Sequence, residues 1–280
     1  MPEDLRISLI VAFYKDLEAL DLIISALKQQ SYRNFEIVVA EDNDAAATRD
    51  YLDSVEGLDI LHTSQPDNGI QKARSLNNAI LASTGDYLVF IDGDCVPHRH
   101  FLRSHAWLAK PGSMLTGRRV NLGPTISRAL RKHWLGGLVF QRLYLLLTPL
   151  LALDRATHIA QGLFFDTDGW FYRNVIAKRK KTNLSLLGCN YSCYKADMVE
   201  IGGYDECYGE TALADDTDLQ WRFALLGLST RSCKMAAIVY HLYHASFRMT
   251  TAPKEIAYME QRKAAGDYHA DTGLETHQRT

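Results

Sequence analysis

Two carboxylates, Asp92 and Asp94, lie on either side of Gly93. They directly follow residues 86–91, an apolar run of the kind that forms a buried strand. Carboxylate oxygens are preferred ligands of Mg²⁺ and Mn²⁺, and such ions often hold substrate phosphates in their remaining positions. Acidic tripeptides are also common in solvated turns. The buried strand before Asp92 is what favours a ligand site over such a turn. The pattern predicts a metal and diphosphate site at the end of that strand.

Two histidines follow a later apolar run. His241 and His244 come after residues 236–240, which we predict to form a strand. A neutral imidazole at a strand end can complete a metal site begun by a distant carboxylate. A lone histidine is more often structural, so the sequence leaves both interpretations open.

The elements that must position these residues alternate between strand and helix. Predicted strands cover residues 7–12, 35–40, 58–63 and 86–91, and predicted helices cover residues 17–30, 45–55 and 71–83. This alternation predicts an α/β fold with a mostly parallel central sheet flanked by helices. Since ligands bind beyond the carboxyl ends of such strands, Tyr14, residues 41–44 and the acidic pair should form one site.

A basic segment interrupts the otherwise acidic chain. Residues 118–182 hold 12 Lys/Arg and 3 Asp/Glu, a net charge of +9, whereas the rest holds 19 basic and 30 acidic residues, a net of -11. Its leucine run at residues 143–153 is shorter than the ~20 residues that span a bilayer. Basic residues with tryptophan and leucine suit a helix on an anionic membrane surface. A lid over the ligand-binding cleft or a homodimer interface explains the segment equally.

Composition bounds the class of protein. The chain has 280 residues with 47% hydrophobic content and a net charge of -2, enough for one large domain. Its five cysteines form no C-x-x-C pair, which favours reduced thiols over a zinc knuckle or a disulfide framework. We see no charged and apolar leader at the N-terminus. We therefore expect a cytoplasmic protein, peripheral on the inner face of the cell membrane if the basic segment binds lipid, with no nucleic-acid partner.

An ordered series of short motifs resembles the family 2 glycosyltransferases, whose fold is called GT-A. The series comprises Ala12-Phe13-Tyr14, Gln29-Gln30-Ser31-Tyr32, Glu41-Asp42, Asn68-Gly69-Ile70-Gln71-Lys72-Ala73-Arg74, Gly85-Asp86-Tyr87 and Asp92-Gly93-Asp94. Glu41 replaces the first aspartate of the family's usual pair. In the second half, residues 202–206 and 215–219 resemble the galactosyltransferase-like C-terminal portion of some members.

The resemblance implies a metal-dependent, inverting transfer from a nucleotide-diphosphate sugar, with UDP the expected nucleotide and Mn²⁺ or Mg²⁺ the cofactor. The acceptor would be a glycan or lipid-linked hydroxyl in surface polysaccharide or lipopolysaccharide synthesis. The implied donor-side roles are Asp42 on the base, Tyr14 stacking on it or lining the base pocket, Arg74 on the diphosphate, Asp94 on the metal, Asp92 on the ribose or the metal's waters, Ala12 and Gly93 beside the nucleotide, and Gly188 and Asn190 along the donor sugar.

The resemblance also implies catalytic and acceptor-side roles. An inverting transfer needs a carboxylate base at the acceptor hydroxyl, and the family pattern gives that role to Asp216 and acceptor binding to Asp215. Asp215 stands where the family carries a glutamate. The alternative for Asp216 is an acidic residue that stabilises a helix N-terminus. His241 is the implied additional metal ligand, with His244 as the alternative.

The implied organisation has four parts. Residues 1–117 form the nucleotide-sugar-binding half, residues 118–187 a helical basic insert, residues 188–248 the acceptor-binding and catalytic half, and residues 249–280 a C-terminal helix and tail. A non-catalytic nucleotide-sugar-binding or scaffold protein on the same fold is the competing hypothesis. A nucleotidyltransferase or a Rossmann dehydrogenase is disfavoured because residues 14–18 contain no glycine.

Overall fold

Strands and helices alternate through the first part of the chain, as its apolar periodicity predicts. The computed structural model describes residues 5–178, 184–209, 216–244 and 253–278. The strands are β1 Ile7–Phe13, β2 Phe35–Glu41, β3 Ile60–Ser64, β4 Tyr87–Asp92, β5 Cys95–Pro97, β6 Ser113–Thr116, β7 Arg118–Asn121, β8 Asn190–Tyr194, β9 Ser229–Ser232 and β10 Ile238–His241. The helices are α1 Leu17–Leu27, α2 Ala46–Asp53, α3 Lys72–Ala82, α4 Phe101–Leu108, α5 Pro124–Arg131, α6 Gly137–Arg142, α7 Tyr144–Leu153, α8 Lys195–Glu200, α9 Thr217–Leu225, α10 Pro253–Ala265 and α11 Leu274–Gln278.

Within these ranges, seven strands form the central sheet in the order β3-β2-β1-β4-β8-β6-β9. Strands β3, β2, β1 and β4 run parallel, whereas β8 is antiparallel to both β4 and β6. The chain turns to opposite sides of β1 when it adds β2 and then β4, which makes the β1–β4 edge a topological switch point. Ala12 and Asp92 are register partners at that point. The sheet confirms the predicted mostly parallel α/β fold.

The core lies on both faces of this sheet. Leu9 and Val11 of β1 pack in the same cluster as Leu20 of α1, while Ile10 packs with Ile80 of α3 on the other face. Successive residues of a strand point to opposite faces. Burial on both faces therefore explains why β1 is a continuous apolar run rather than an alternating one.

A second sheet of three strands holds β10 between β5 and β7. Strand β10 runs antiparallel to β5 and parallel to β7. Its last residue, His241, is the register partner of Cys95 and Asn121. The next amide, Leu242 N, donates to the carbonyl of Asp94 at 2.9 Å. This small sheet therefore joins the acidic turn, the start of the basic segment and the strand that ends at His241.

The basic segment is helical through α5, α6 and α7. Arg131 of α5 donates to both carboxylate oxygens of Asp16 at 2.6 and 2.7 Å, which fixes α5 to the start of α1. Pro149 lies inside α7. No helix in the described ranges is both long and apolar enough to cross a bilayer. The predicted C-terminal helix is α10, and its Arg262 donates to the buried carboxylate of Asp205 at 2.7 Å.

Glu36 of β2 is a buried carboxylate that connects β1 to the loop before β4. The Ser8 hydroxyl donates to it at 2.5 Å, and the Thr84 amide donates at 2.6 Å. Burial alone would raise the pKa of Glu36, but the hydrogen bonds from Ser8, Thr84 and Arg6 outweigh it and lower the pKa to about 2. A carboxylate with a lowered folded-state pKa stabilises the fold above its unfolded pKa, and that stability is lost as the pH falls through the folded pKa.

We expect Glu36→Gln to lower the free energy of unfolding by ~2–3 kcal/mol at pH 7. The deficit should shrink as the pH falls from about 5 towards about 2, because the wild-type carboxylate then loses its advantage over an amide. Urea unfolding at stepped pH measures this difference. Glu56→Gln, at an exposed loop position, is the matched control and should be neutral. A deficit that does not change with pH would contradict this account of Glu36.

Candidate functional site

The acidic turn lies at the switch point of the central sheet. Asp92 is the last residue of β4, and Asp94 lies in the short turn that leads to β5. A Cβ atom at Gly93 would lie 2.7 Å from the carbonyl oxygen of Ala12. Only glycine therefore allows this turn to lie against the end of β1. The predicted positions of Ala12, Gly93 and the two aspartates meet here.

Asp94, His241 and His244 form a three-residue cluster. One carboxylate oxygen of Asp94 lies 3.2 Å from Nε2 of His241 and 3.1 Å from Nε2 of His244. The two Nε2 atoms lie 3.3 Å apart. Ligands ~2.1 Å from one cation and at right angles to each other would be ~3.0 Å apart. The cluster therefore has donors and spacing that fit one divalent cation, and both histidines belong to it.

The Asp94 carboxylate is held in its charged form. Burial would raise its pKa, but hydrogen bonds from His241 and His244 outweigh burial and hold the pKa of Asp94 well below its usual value. Ligands must be deprotonated to bind a cation. The carboxyl group is thus in the form that metal binding requires.

Lys72 contributes a cation to which the motif resemblance gave no role. Its Nζ lies 2.7 Å from a carboxylate oxygen of Asp92. Lys72 is the first residue of α3, and Arg74, in the same turn, has an exposed side chain. Both residues belong to one quoted motif, in which only Arg74 received a role. The start of α3 therefore places one cation, Lys72, beside the acidic turn, and carries a second, exposed cation at Arg74.

Asp42 is buried next to the same helix start. Its two carboxylate oxygens accept from the Gln65 side chain and from the Gln71 backbone amide, both at 2.7 Å. Its neighbour Glu41 points to the other side and accepts from Thr48 at 2.7 Å. Alternate residues of a strand face opposite ways, so only Asp42 faces α3. Sequence reasoning missed Gln65, although its place directly after β3 follows the same strand-end rule that selected Tyr14 and residues 41–44.

Tyr14 follows β1 and is 51% exposed. Nζ of Lys15 lies 2.7 Å from the Tyr14 hydroxyl and 2.6 Å from a carboxylate oxygen of Asp67. The same ammonium lies 4.5 Å from the centre of the Tyr14 ring. Lys15 and Asp67 therefore restrain a partly exposed aromatic ring at the strand end. Its predicted stacking on a base remains a prediction.

Asp216 lies directly before α9 and lines a cavity of about 550 Å³ with Gln220, Trp221 and Lys263. Although it occupies the N-cap position, its side chain forms no hydrogen bond to the helix backbone. Its carboxylate accepts from the hydroxyl of the adjacent Thr217 at 3.3 Å. A carboxylate that lines a cavity and does not cap its helix is available for other chemistry.

The neighbouring acids differ from Asp216. Asp218 is buried and accepts from Arg222 and from the Trp221 ring N–H, each at 2.9 Å, which gives it a structural role. Asp215, predicted to bind acceptor, lies outside the described residues.

Asn190 is the first residue of β8, Gly188 lies in the turn before it, and both are buried. The Asn190 side-chain amide donates to the carbonyls of Arg118 and Ala237, each at 3.0 Å. This asparagine therefore joins the central sheet to the small sheet. Its predicted place in a donor-sugar pocket, and that of Gly188, stay predictions.

Some known proteins are similar to this chain in sequence. The model of the family described as "Glycosyl transferase family 2" matches residues 8–160. Glycosyltransferase AglE of Haloferax volcanii is 29% identical over 122 residues, which cover 41% of this chain and 37% of AglE. The amylovoran biosynthesis glycosyltransferase AmsB of Erwinia amylovora is 27% identical over 107 residues, which cover 37% of this chain and 35% of AmsB. The matched stretches thus span little more than a third of these relatives.

Solved structures share the fold over most of the chain. The mannosyltransferase PcManGT from Pyrobaculum calidifontis, in complex with GDP-Man and Mn²⁺, has a TM-score of 0.52 at 16% identity, with 93% of this chain and 61% of that chain covered. Residues 1–349 of S. aureus TarS in complex with UDP-GlcNAc have a TM-score of 0.59 at 13% identity, with 97% and 69% covered. These matches confirm the fold expected from the sequence.

Proposed function

The chain belongs to glycosyl transferase family 2, and on that premise we propose that it moves a sugar, with inversion, from a nucleoside-diphosphate sugar to an acceptor hydroxyl. The observation that carries the proposal is the cluster of Asp94, His241 and His244 at the sheet switch point. The Lys72–Asp92 ion pair adjoins it at the same turn. A metal and a diphosphate bound there would bring the donor's reactive carbon to this edge of the sheet.

The donor would lie along the ends of β1, β2 and β4. Asp42 would accept from the base, and Tyr14 would stack on it. Arg74, together with Lys72, would bind the diphosphate, for which a guanidinium fork and an ammonium are both suited. The solved neighbours hold GDP-Man and UDP-GlcNAc respectively, so the fold accepts more than one base. The motif resemblance favours UDP for this chain.

The ligands at the cluster favour Mn²⁺ over Mg²⁺. Two imidazole nitrogens and one carboxylate oxygen would face the cation. Mg²⁺ takes oxygen ligands almost exclusively, whereas Mn²⁺ prefers oxygen but, as a first-row transition metal, also accepts nitrogen ligands. A bound cation would offset the charge that develops on the leaving diphosphate.

Asp216 would act as the base of the transfer. Its carboxylate takes the proton from the acceptor hydroxyl, whose oxygen bonds to the anomeric carbon on the face opposite the diphosphate. As that bond forms, the bond between the carbon and the diphosphate oxygen breaks, and the nucleoside diphosphate leaves with its electron pair. Gln220 and Trp221, which line the same cavity, would contact the acceptor with Asp215.

The acceptor proposed is a glycan or a lipid-linked sugar of a surface polysaccharide or lipopolysaccharide, met at the cytoplasmic face of the cell membrane. The competing function is nucleotide-sugar binding without turnover. It shares the donor-site residues, so donor binding cannot separate the two. Turnover does, because only an enzyme releases free nucleoside diphosphate.

We expect EDTA treatment to abolish donor hydrolysis and Mn²⁺ to restore it at least ~10-fold better than Mg²⁺, given the nitrogen ligands. Release of nucleoside diphosphate from a panel of nucleotide sugars measures this activity. Nucleotide binding by calorimetry, with and without Mn²⁺, is the parallel readout. Metal-dependent nucleotide binding with no turnover on any donor or acceptor would favour the scaffold alternative. The absence of both nucleotide binding and turnover would contradict the enzyme proposal.

A further inference from the structure

Helix α7 exposes an apolar face. Leu146, Leu150 and Leu153 recur at helical spacing and are 75%, 53% and 81% exposed. Tyr144 and Leu151, on the opposite side, are buried. Residues at such spacing share one side of a helix. The helix therefore packs into the protein by one side, and the other side forms what we call the leucine face: Leu146, Leu150 and Leu153.

Large exposed side chains also precede the leucine face in the chain. Trp134 and Val139 are 77% and 49% exposed, and Leu145 at the start of α7 is 68% exposed. Single exposed apolar residues need no explanation, but a cluster of this kind marks an interaction site.

The leucine face is held on a fixed element close to the candidate metal site. The Tyr144 hydroxyl donates to the carbonyl of Ile159 at 2.8 Å. The rings of Phe140 and Tyr144 pack against Tyr240, with centroids 5.1 and 5.6 Å apart. Tyr240 directly precedes His241 on β10. Helix α7 therefore lies between the leucine face and the strand that carries a candidate metal ligand.

Basic residues outnumber acidic ones along the chain around the leucine face. Residues 118–153 contain no aspartate or glutamate, and the Asp154 carboxylate, directly after Leu153, accepts from the Thr125 and Ile126 amides at the start of α5. Arg128, Arg142 and Arg155 are exposed and form no ion pair with any other residue in the described ranges. A second copy of the chain, docked by the same face, would bring these like charges together. An anionic lipid surface instead supplies the opposite charge to the arginines and an apolar layer to the leucines.

We infer that the leucine face inserts into the interfacial layer of an anionic lipid bilayer, with Arg128, Arg142 and Arg155 at the headgroups. The inference deepens the proposed function, on which its biological meaning rests, by naming the surface on which the acceptor is met. Docking itself needs neither donor nor metal. Binding to lipid and binding to nucleotide can therefore be measured separately.

Flotation of the full chain with phosphatidylcholine vesicles, with and without phosphatidylglycerol, tests the inference. The wild type should float with the anionic vesicles and be released by high salt. Leu146→Glu combined with Leu150→Glu should lower the bound fraction at least ~10-fold, because the two acids oppose both insertion and charge attraction. Val199→Glu, which alters an exposed apolar residue on α8, is the matched control and should float like the wild type.

A second variant guards against misfolding of the first. Arg128→Gln combined with Arg142→Gln leaves the leucines intact and should weaken binding to anionic vesicles by ~10- to 30-fold. Three results would overturn the inference: no flotation of the wild type, equal flotation of the leucine and control variants, or a dimer in solution that only the leucine variant dissociates. Flotation without nucleotide binding would instead count against the proposed function alone.

Discussion

Replacing Asp216 by asparagine is expected to lower transfer by ~10²–10⁴-fold while leaving donor binding unchanged. The amide keeps the size of the side chain but cannot accept the proton of the acceptor hydroxyl. Because the Asp216 carboxylate forms no cap with the backbone of α9, its replacement should cost the helix little. Product formation under saturating donor measures the transfer rate, and nucleotide calorimetry measures the affinity for the donor.

Asp50→Asn, at an exposed position on α2, is the control for the chemical change itself. It should leave both the transfer rate and the donor affinity at their wild-type values. Parallel loss of binding and transfer in Asp216→Asn would point to a structural role for this residue, and full retention of transfer would remove it from the mechanism.

Replacing Asp94 by asparagine is expected to lower turnover by ~10³-fold or more and to weaken Mn²⁺ binding. The carboxylate is the one anionic donor of the cluster, and both imidazoles point at it. With an amide at position 94, the imidazole nitrogens of His241 and His244 would be the remaining strong ligands of the cluster. Manganese binding by electron paramagnetic resonance, in the presence of nucleoside diphosphate, measures the loss directly.

Neighbouring variants make this test specific. Asp92→Asn removes the partner of Lys72 and should weaken donor binding more than Mn²⁺ binding. His241→Ala should cost more Mn²⁺ affinity than His244→Ala, because the His241 side chain is 15% exposed and that of His244 is 46% exposed. Unchanged Mn²⁺ affinity in Asp94→Asn would show that the cation is held elsewhere.

Sequence could predict the residues of the site that lie at the ends of strands, because apolar runs reveal the strands and parallel strands end along one edge of the sheet. Apolar runs located β1, β2 and β4, and parallel strands place their carboxyl ends along one edge. The convergence of Ala12, Asp92 and Asp94 follows from those two facts. His241 was harder, because its approach to Asp94 depends on the pairing of β10 with β5, which lies far away in sequence.

What sequence could not predict depends on contacts between distant segments. Strand β8 lies antiparallel between β4 and β6, and no periodicity encodes its direction. His244 lies beyond the end of β10, where backbone path rather than pattern brings its ring to Asp94. Lys72 and Arg74 are both basic and lie in the first turn of α3. Only the structure therefore shows that Lys72 pairs with Asp92.

The small sheet also dictates when the site can exist during synthesis. Asp94 leaves the ribosome long before His244, which follows 150 residues later. At typical bacterial and eukaryotic translation rates that interval lasts ~8–30 s. Until β10 enters between β5 and β7, the acidic turn lacks His241 and His244. The nascent chain therefore carries an unfinished cation site while the next 150 residues are made, and metal loading at the complete cluster has to follow the synthesis of β10.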